Sequence, residues 1–245
     1  MALSHSPSIV TDKLVLYLDA ANVKSYPGSG TAWNDISANG NNGTLVNSPT
    51  FDSNNLGSFD FSATNDRVHL FDPVGKASNT SFSVDIWHKR GAQQDKYLYS
   101  ETSGSSNNPF WGITSHTGSN NSQLRIFARR NNGNGDINFQ PSGAGYAIYD
   151  NLPHHLVVVY QSNNLYFYHD GSSIGSTSWN KGSGYSGLTQ NTLAGWRYGS
   201  GPTTGGNMNG NIYSVKTYQK ALTAAEVLQN YNALKGRYML SLIHI

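Results

Sequence analysis

The sequence predicts an all-β domain, a sandwich or a barrel, closed by one short C-terminal helix. Three observations predict it. The 245 residues include 15 Tyr, 9 Phe and 5 Trp, rings that pack well on a pleated surface. Short apolar runs alternate with polar residues at the two-residue period of a strand with one buried face. Between the runs stand clusters of Gly, Asn, Ser and Pro, and many short strands punctuated in this way make sandwiches and barrels.

The elements follow in order. In Lys13–Asp19, Leu14, Leu16 and Leu18 share one face. A loop over Ser25–Gly30 and a turn over Asn39–Gly43 come next. Strands are then expected at Ser58–Ser62, Arg67–Phe71 and Ser81–Lys89; the last sets Phe82, Val84 and Ile86 against Ser83, Asp85 and Trp87. Lys96–Ser100, Phe110–Ser115, Gln123–Arg129 and Ile137–Gln140 continue the series. His155–Tyr160 and Leu165–Asp170 read as a hairpin turning at Asn163-Asn164, and Asp170-Gly171 leads into Ser173–Ser178. Asn191–Trp196 and Gly210–Tyr218 complete the strands.

The helix is Ala224–Lys235. Thr223 and Glu226 form a capping box, Leu222 and Val227 the hydrophobic staple, and Gly236 suits the C-cap. Val227, Leu228, Tyr231 and Leu234 line one face, which is expected to pack on the sandwich edge. Neither an internal repeat nor a linker divides the chain, so residues 10–238 read as one domain. Residues 239–245, Met-Leu-Ser-Leu-Ile-His-Ile, resemble a translated sequencing adapter and read as a non-native tail.

Composition removes several functions. The net charge is +2, with 16 Lys and Arg against 14 Asp and Glu and no cationic stripe to track phosphates, so no nucleic-acid partner is expected. Without cysteine there are no disulfides and no thiolate metal sites. The N-terminus has no recognisable signal peptide, and no stretch approaches the ~20 apolar residues of a membrane span.

Three blocks carry a family resemblance. The first is Leu14–Asn22 with Ser25–Gly30, Trp33–Ser37 and Gly40–Thr44. The second joins His154–Tyr160 to Leu165–Gly171, a hydrophobic strand and then a strand ending in Asp-Gly; Pro153 stands where relatives carry Trp. The third runs from Met208–Ile212 to Tyr218–Val227. Together they resemble laminin-G-like, concanavalin A-like domains of bacterial, marine-metagenome and phage structural proteins. The resemblance implies an antiparallel two-sheet β-sandwich of jelly-roll type. It also implies a lectin-like or adhesion role outside the cell or on a virion, sometimes with calcium.

Enzyme signatures fail on context. Gly171-Ser-Ser-Ile-Gly175 has the letters of a nucleophile elbow, but Ser173 opens a strand rather than a strand–turn–helix. Gly182–Gly187 spells a dinucleotide fingerprint with no helix after it. Retaining glycoside hydrolysis needs two carboxylates about 5–5.5 Å apart. Glucanases of this fold class carry them on one strand as Glu-x-Asp-x-x-Glu, whereas Ser83–His88 offers Asp85 alone. The chain therefore reads as a non-enzyme.

Adjacent His154 and His155 point to opposite faces of a strand and do not chelate one ion together. Asn132, Asn134 and Asp136 alternate like the oxygen ligands of a calcium loop, although Ile137 replaces the expected glycine. For sugar binding, an aromatic face stacks on pyranose C–H groups while polar groups meet the hydroxyls. Loop aromatics suit that role, and the preferred cluster is Trp196, Arg197, Tyr198 and Asn207, with Trp179 and Tyr185 beside it. The expected partner is a polysaccharide or glycoconjugate; the alternative is a structural module contacting other virion or surface proteins.

Overall fold

The computed structural model describes residues 7–54, 57–70, 72–76, 78–104, 108–116, 122–132, 135–140, 148–197 and 204–238, with backbone alone at 136, 204 and 205. Two eight-stranded antiparallel sheets face each other, with strands numbered in chain order. The first sheet runs β14 (Ser172–Ser178), β13 (Asn164–His169), β12 (Pro153–Gln161), β7 (Ser81–Lys89), β18 (Asn211–Tyr218), β5 (Ser58–Asp60), β4 (Thr50–Asp52), and β1 (Leu14–Asp19) also pairs with β18. The second runs β11 (Gly135–Phe139), β10 (Leu124–Arg129), β9 (Phe110–Ser115), β8 (Tyr97–Ser103), β15 (Leu188–Leu193), β6 (Arg67–Leu70), β3 (Gly43–Val46), β2 (Ala32–Trp33). A short ribbon pairs β16 (Trp196–Arg197) with β17 (Thr204–Gly205).

Alternation decides what lies between the sheets. Phe82, Val84, Ile86, Leu156, Val158, Leu165 and Phe167 point inward from the first sheet, and Trp111, Ile113, Leu124, Ile126 and Leu193 from the second, forming one core. The helix α1 (Ala224–Tyr238) covers the outer face of the first sheet rather than an edge of the sandwich, because the outward apolar residues of the central strands offer it more area to bury. Leu222 and Val227 pack on Val157, Val159 and Tyr218, while Leu234 and Tyr238 pack on Trp87 and Tyr213. The capping box forms as its residues foretold: Glu226 N donates to Thr223 Oγ1 at 3.2 Å and Thr223 N to Glu226 Oε2 at 2.9 Å.

Polar ties lock the helix down. Asn230, fully buried, donates to Asp85 at 2.8 Å and accepts from Val10 N at 2.8 Å, which joins the first and last segments of the domain on this face. Asp85 also accepts from Lys216 Nζ at 2.9 Å, and both side chains have 0% exposure. Among the described residues no helix is long and apolar enough to cross a membrane.

The structure differs from the sequence reading at several junctions. The helix passes through Gly236 to Tyr238, because Tyr238 stacks near Trp87 at 4.6 Å and Arg237 pairs with Asp19 at 2.8 Å. Tertiary packing there outweighs glycine's preference for a C-cap. The β12–β13 hairpin turns at Ser162-Asn163, whose φ values of 49° and 62° suit a primed turn, while Asn164 already pairs with Gln161. The expected strand Asn191–Trp196 is broken at Ala194-Gly195, which sends β16 away from β15. Residues 182–185 form a 3₁₀ turn rather than open loop. The tail, 239–245, lies outside the described residues.

Candidate functional site

With α1 on one outer face, the outer face of the second sheet is where the described residues leave a shaped, polar–aromatic surface. On β10 the outward residues are Arg125, Phe127 and Arg129, while Leu124, Ile126 and Ala128 enter the core. Beside them Phe110 faces outward from β9 and Tyr97 from β8. The β16 ribbon folds across this face, held by Ser100 Oγ donating to Gly195 O at 2.8 Å and by a bond from Thr102 Oγ1 to Arg197 O. It brings Trp196 over the sheet and closes a hollow of about 260 Å³ lined by Asp95, Tyr97, Phe110, Arg125, Phe127, Arg129 and Trp196.

The hollow's floor is aromatic. Phe110 meets Tyr97 edge-on at 5.3 Å and Phe127 at 5.9 Å. Arg125 lies over the Phe127 ring at 4.8 Å, fixed by Asp95 at 3.0 Å and Asn138 at 2.8 Å. Arg129 lies 5.4 Å from Phe127 and 5.7 Å from Phe110, and its buried Nε makes no hydrogen bond. Two glycines make room: a Cβ on Gly112 would stand 2.8 Å from the Tyr97 ring, and one on Gly206 2.5 Å from it and 2.9 Å from Trp196. Gly206 also has φ +57°, a left-handed conformation that favours glycine.

On the other side of the ribbon, Arg197 stands near Arg67 and His69, both on β6. Burial first, then the two guanidiniums, push His69 down to about 4, so its neutral Nε2 accepts from Arg67 Nε at 2.9 Å. Arg197 is lowered by burial and by Arg67, and its buried Nε has no hydrogen bond. The face thus carries guanidiniums at both ends, and Asp95 is the one carboxylate among the described residues lining the hollow.

The structure sorts the residues singled out from sequence. Trp196 lines the hollow, Arg197 flanks it, and Asn207 bridges to Tyr97 beneath the ribbon. Tyr198 lies outside the described residues. Trp179 and Tyr185 do not join the cluster: with 1% and 0% exposure they pack on each other at 4.9 Å, and Trp179 also packs on Trp111 and Tyr160 inside the sandwich. Both rings were drawn into the core by the apolar area they bury. Tyr97, Phe110, Phe127, Arg125 and Arg129 were missed. Their signal was an aromatic ring between two arginines on the polar phase of an otherwise aliphatic strand.

Of the calcium-loop residues, Asn132 lies in a turn, Asn134 lies outside the described residues, and Asp136 falls on β11. His154 and His155 do face opposite ways: His155 stacks on Trp87 at 5.1 Å under the helix, and His154 meets His169 on the interior face. Two buried carboxylates are structural. Asp85 is held by Lys216 and Asn230 beneath α1. Glu101 lies inside the sandwich and accepts from Tyr99 and Trp111 at 2.6 Å and from the amides of Val74 and Gly75 at 2.7 and 2.8 Å. Burial nevertheless pushes the Glu101 carboxyl up to about 7.

The sandwich, its helix and the sequence together define the class. Residues 61–228 match the family model Laminin_G_3, and the chain belongs to this family of the concanavalin A-like lectin/glucanases superfamily. The chain is similar in structure to the binding domain of botulinum neurotoxin DC in complex with rat synaptotagmin II, with a TM-score of 0.64 and 16% identity over 92% of this chain and 52% of that one. The binding domain of Paraclostridial Mosquitocidal Protein 1 gives 0.64 and 16% over 91% and 52%. Botulinum neurotoxin type C, whose cell entry depends on two ganglioside molecules, gives 0.64 and 17% over 92% and 52%. The chain spans about half the length of each. A comparison with curated proteins finds no significant match.

Proposed function

We propose that the chain is a non-catalytic carbohydrate-binding or adhesion module whose hollow on the outer face of the second sheet holds a glycan, with acidic sugars preferred. One observation carries this reading: Trp196 and Phe127 offer ring surface beside the guanidiniums of Arg125 and Arg129, with one carboxylate, already paired, among the lining residues. Rings stack on sugar C–H faces, and planar guanidiniums take carboxylates or sulfates bidentately. The absence of a second lining carboxylate among the described residues speaks against acid–nucleophile hydrolysis.

Structural relatives support binding to surface molecules: one is bound to SialylT, another depends on gangliosides, and a third is bound to synaptotagmin II. The last favours protein contacts on a cell-surface or virion assembly as the second reading. Either role places the module outside the cell or on a virion. Calcium at Asn132, Asn134 and Asp136 would stiffen the β10–β11 connection, and binding would then weaken when chelator is added.

Glycan-array binding followed by titration tests the proposal. Trp196→Ala should weaken binding by the worth of one stacked ring, about 0.5–1.5 kcal/mol or roughly 2–13-fold. Arg129→Gln should lose acidic glycans and spare neutral ones. Wild-type protein that binds no glycan, or variants that bind unchanged, would refute the assignment.

A further inference from the structure

A cluster of ligating side chains lies on the interior face of the first sheet, whereas the hollow lies on the outer face of the second. Along the first sheet, β7, β12 and β13 each bring one histidine to the interior face near the same edge: His88, His154 and His169. The turn after β13 adds Asp170. One ligand atom from each of His154, His169 and Asp170 lies within 4.8 Å of the others. We propose that these three residues bind a divalent transition-metal ion of the zinc type.

The donor set suits that ion. Two imidazoles and a carboxylate match zinc chemistry, whereas calcium takes oxygen ligands. His154 Nδ1 stands 2.7 Å from Asp170 Oδ2, and His169 Nε2 stands 3.9 Å from the same oxygen. Bonds of about 2.0–2.1 Å in a tetrahedron set ligand atoms roughly 3.3–3.4 Å apart, between those two distances, and the third pair lies within 4.8 Å.

Further features fit. His169 Nε2 is buried and has no hydrogen-bond partner, although it points towards the carboxylate. His154 Nε2 faces Asp150 Oδ1 at 3.0 Å, the carboxylate–histidine arrangement that orients a metal-bound imidazole. The Asp170 carboxylate is fixed through its other oxygen, which accepts from His155 N at 2.8 Å. On the inner side His88, opposite His154 in register, is fully buried with neither ring nitrogen hydrogen-bonded. Side-chain exposures of 12%, 17% and 22% for the three ligands leave a path for an ion. Three protein ligands leave a coordination position for water or for a donor group from a partner.

The test uses the full chain without a histidine tag, treated with chelator and dialysed. Titration with zinc chloride should give one ion per chain. His169→Ala should weaken the affinity at least tenfold, and Asp150→Asn, at an exposed position outside the ligand set, by about tenfold. Absence of saturable binding in the wild-type chain, or wild-type affinity in both variants, would overturn the site. Should His169→Ala fail to fold, the visible spectrum of the cobalt(II)-loaded wild-type chain decides. Intense bands of a four- or five-coordinate ion support the site, and the weak spectrum of six-coordinate aqueous cobalt overturns it.

Discussion

Replacing Asp85 by Asn isolates the claim that this carboxylate holds the fold rather than performs chemistry. The side chains have nearly the same volume, so packing under α1 is preserved. What changes is charge: Lys216 Nζ, 2.9 Å from Asp85 Oδ1 and at 0% exposure, loses its counter-ion. Removing one partner of a buried pair costs about 3–5 kcal/mol, because an uncompensated charge stays in the interior. For a domain of this size each kcal/mol moves Tm by about 2–4 °C, so Asp85→Asn should melt roughly 6–20 °C lower. Circular-dichroism melts and urea titration with an unchanged slope measure it.

Adding Lys216→Met to Asp85→Leu should recover much of the loss, since an apolar pair of similar volume needs no charge balance. The pH dependence has a definite sign. Burial raises the Asp85 carboxyl, but Lys216 and then His155 outweigh it and hold it well below the usual range. Its contribution is therefore fully present above the ordinary carboxylate value of about 3.9 and is lost only as pH falls towards the folded one. Stability unchanged to within about 0.5 kcal/mol in Asp85→Asn would refute this reasoning.

The other predictions concern the hollow and the second buried carboxylate. Gly206→Ala forces a Cβ against Tyr97 and Trp196 at a positive φ, so glycan affinity should fall while the far-UV spectrum stays wild-type; unchanged affinity would show that these rings do not shape the site. Glu101 is raised by burial to about 7, so its contribution is present below about 4.5 and lost as pH rises through 7. Urea unfolding at pH 4.5 and 8 should show the wild type losing on the order of 3 kcal/mol more than Glu101→Gln. Parallel losses in the two proteins would contradict it.

Periodicity and turn chemistry made most of the first sheet and the helix legible. Phe82, Val84 and Ile86 alternate without interruption, and Thr223 with Glu226 caps the helix as read. The strands β2, β3 and β4 escaped because two to four residues carry too little pattern to be read as strands. The site was half legible. Trp196 stood out as a loop aromatic, but Trp179 and Tyr185 looked the same in sequence and went to the core. Which face of a strand is wet depends on what covers it, and only the packed helix decides that. Phe127 between Arg125 and Arg129 therefore gains its meaning from the hollow they line on the outer face of the second sheet. His169 and Asp170 were likewise seen as strand end and turn, not as neighbours of His154 across the hairpin.

The tie between Val10 and Asn230 has a mechanical consequence. It gathers both ends of the domain onto the helix side, with the thickness of the sandwich between them and the hollow. Tension applied between Val10 and α1 would load their clasp first, while the second sheet and the ribbon bearing Trp196 stay outside the line of force.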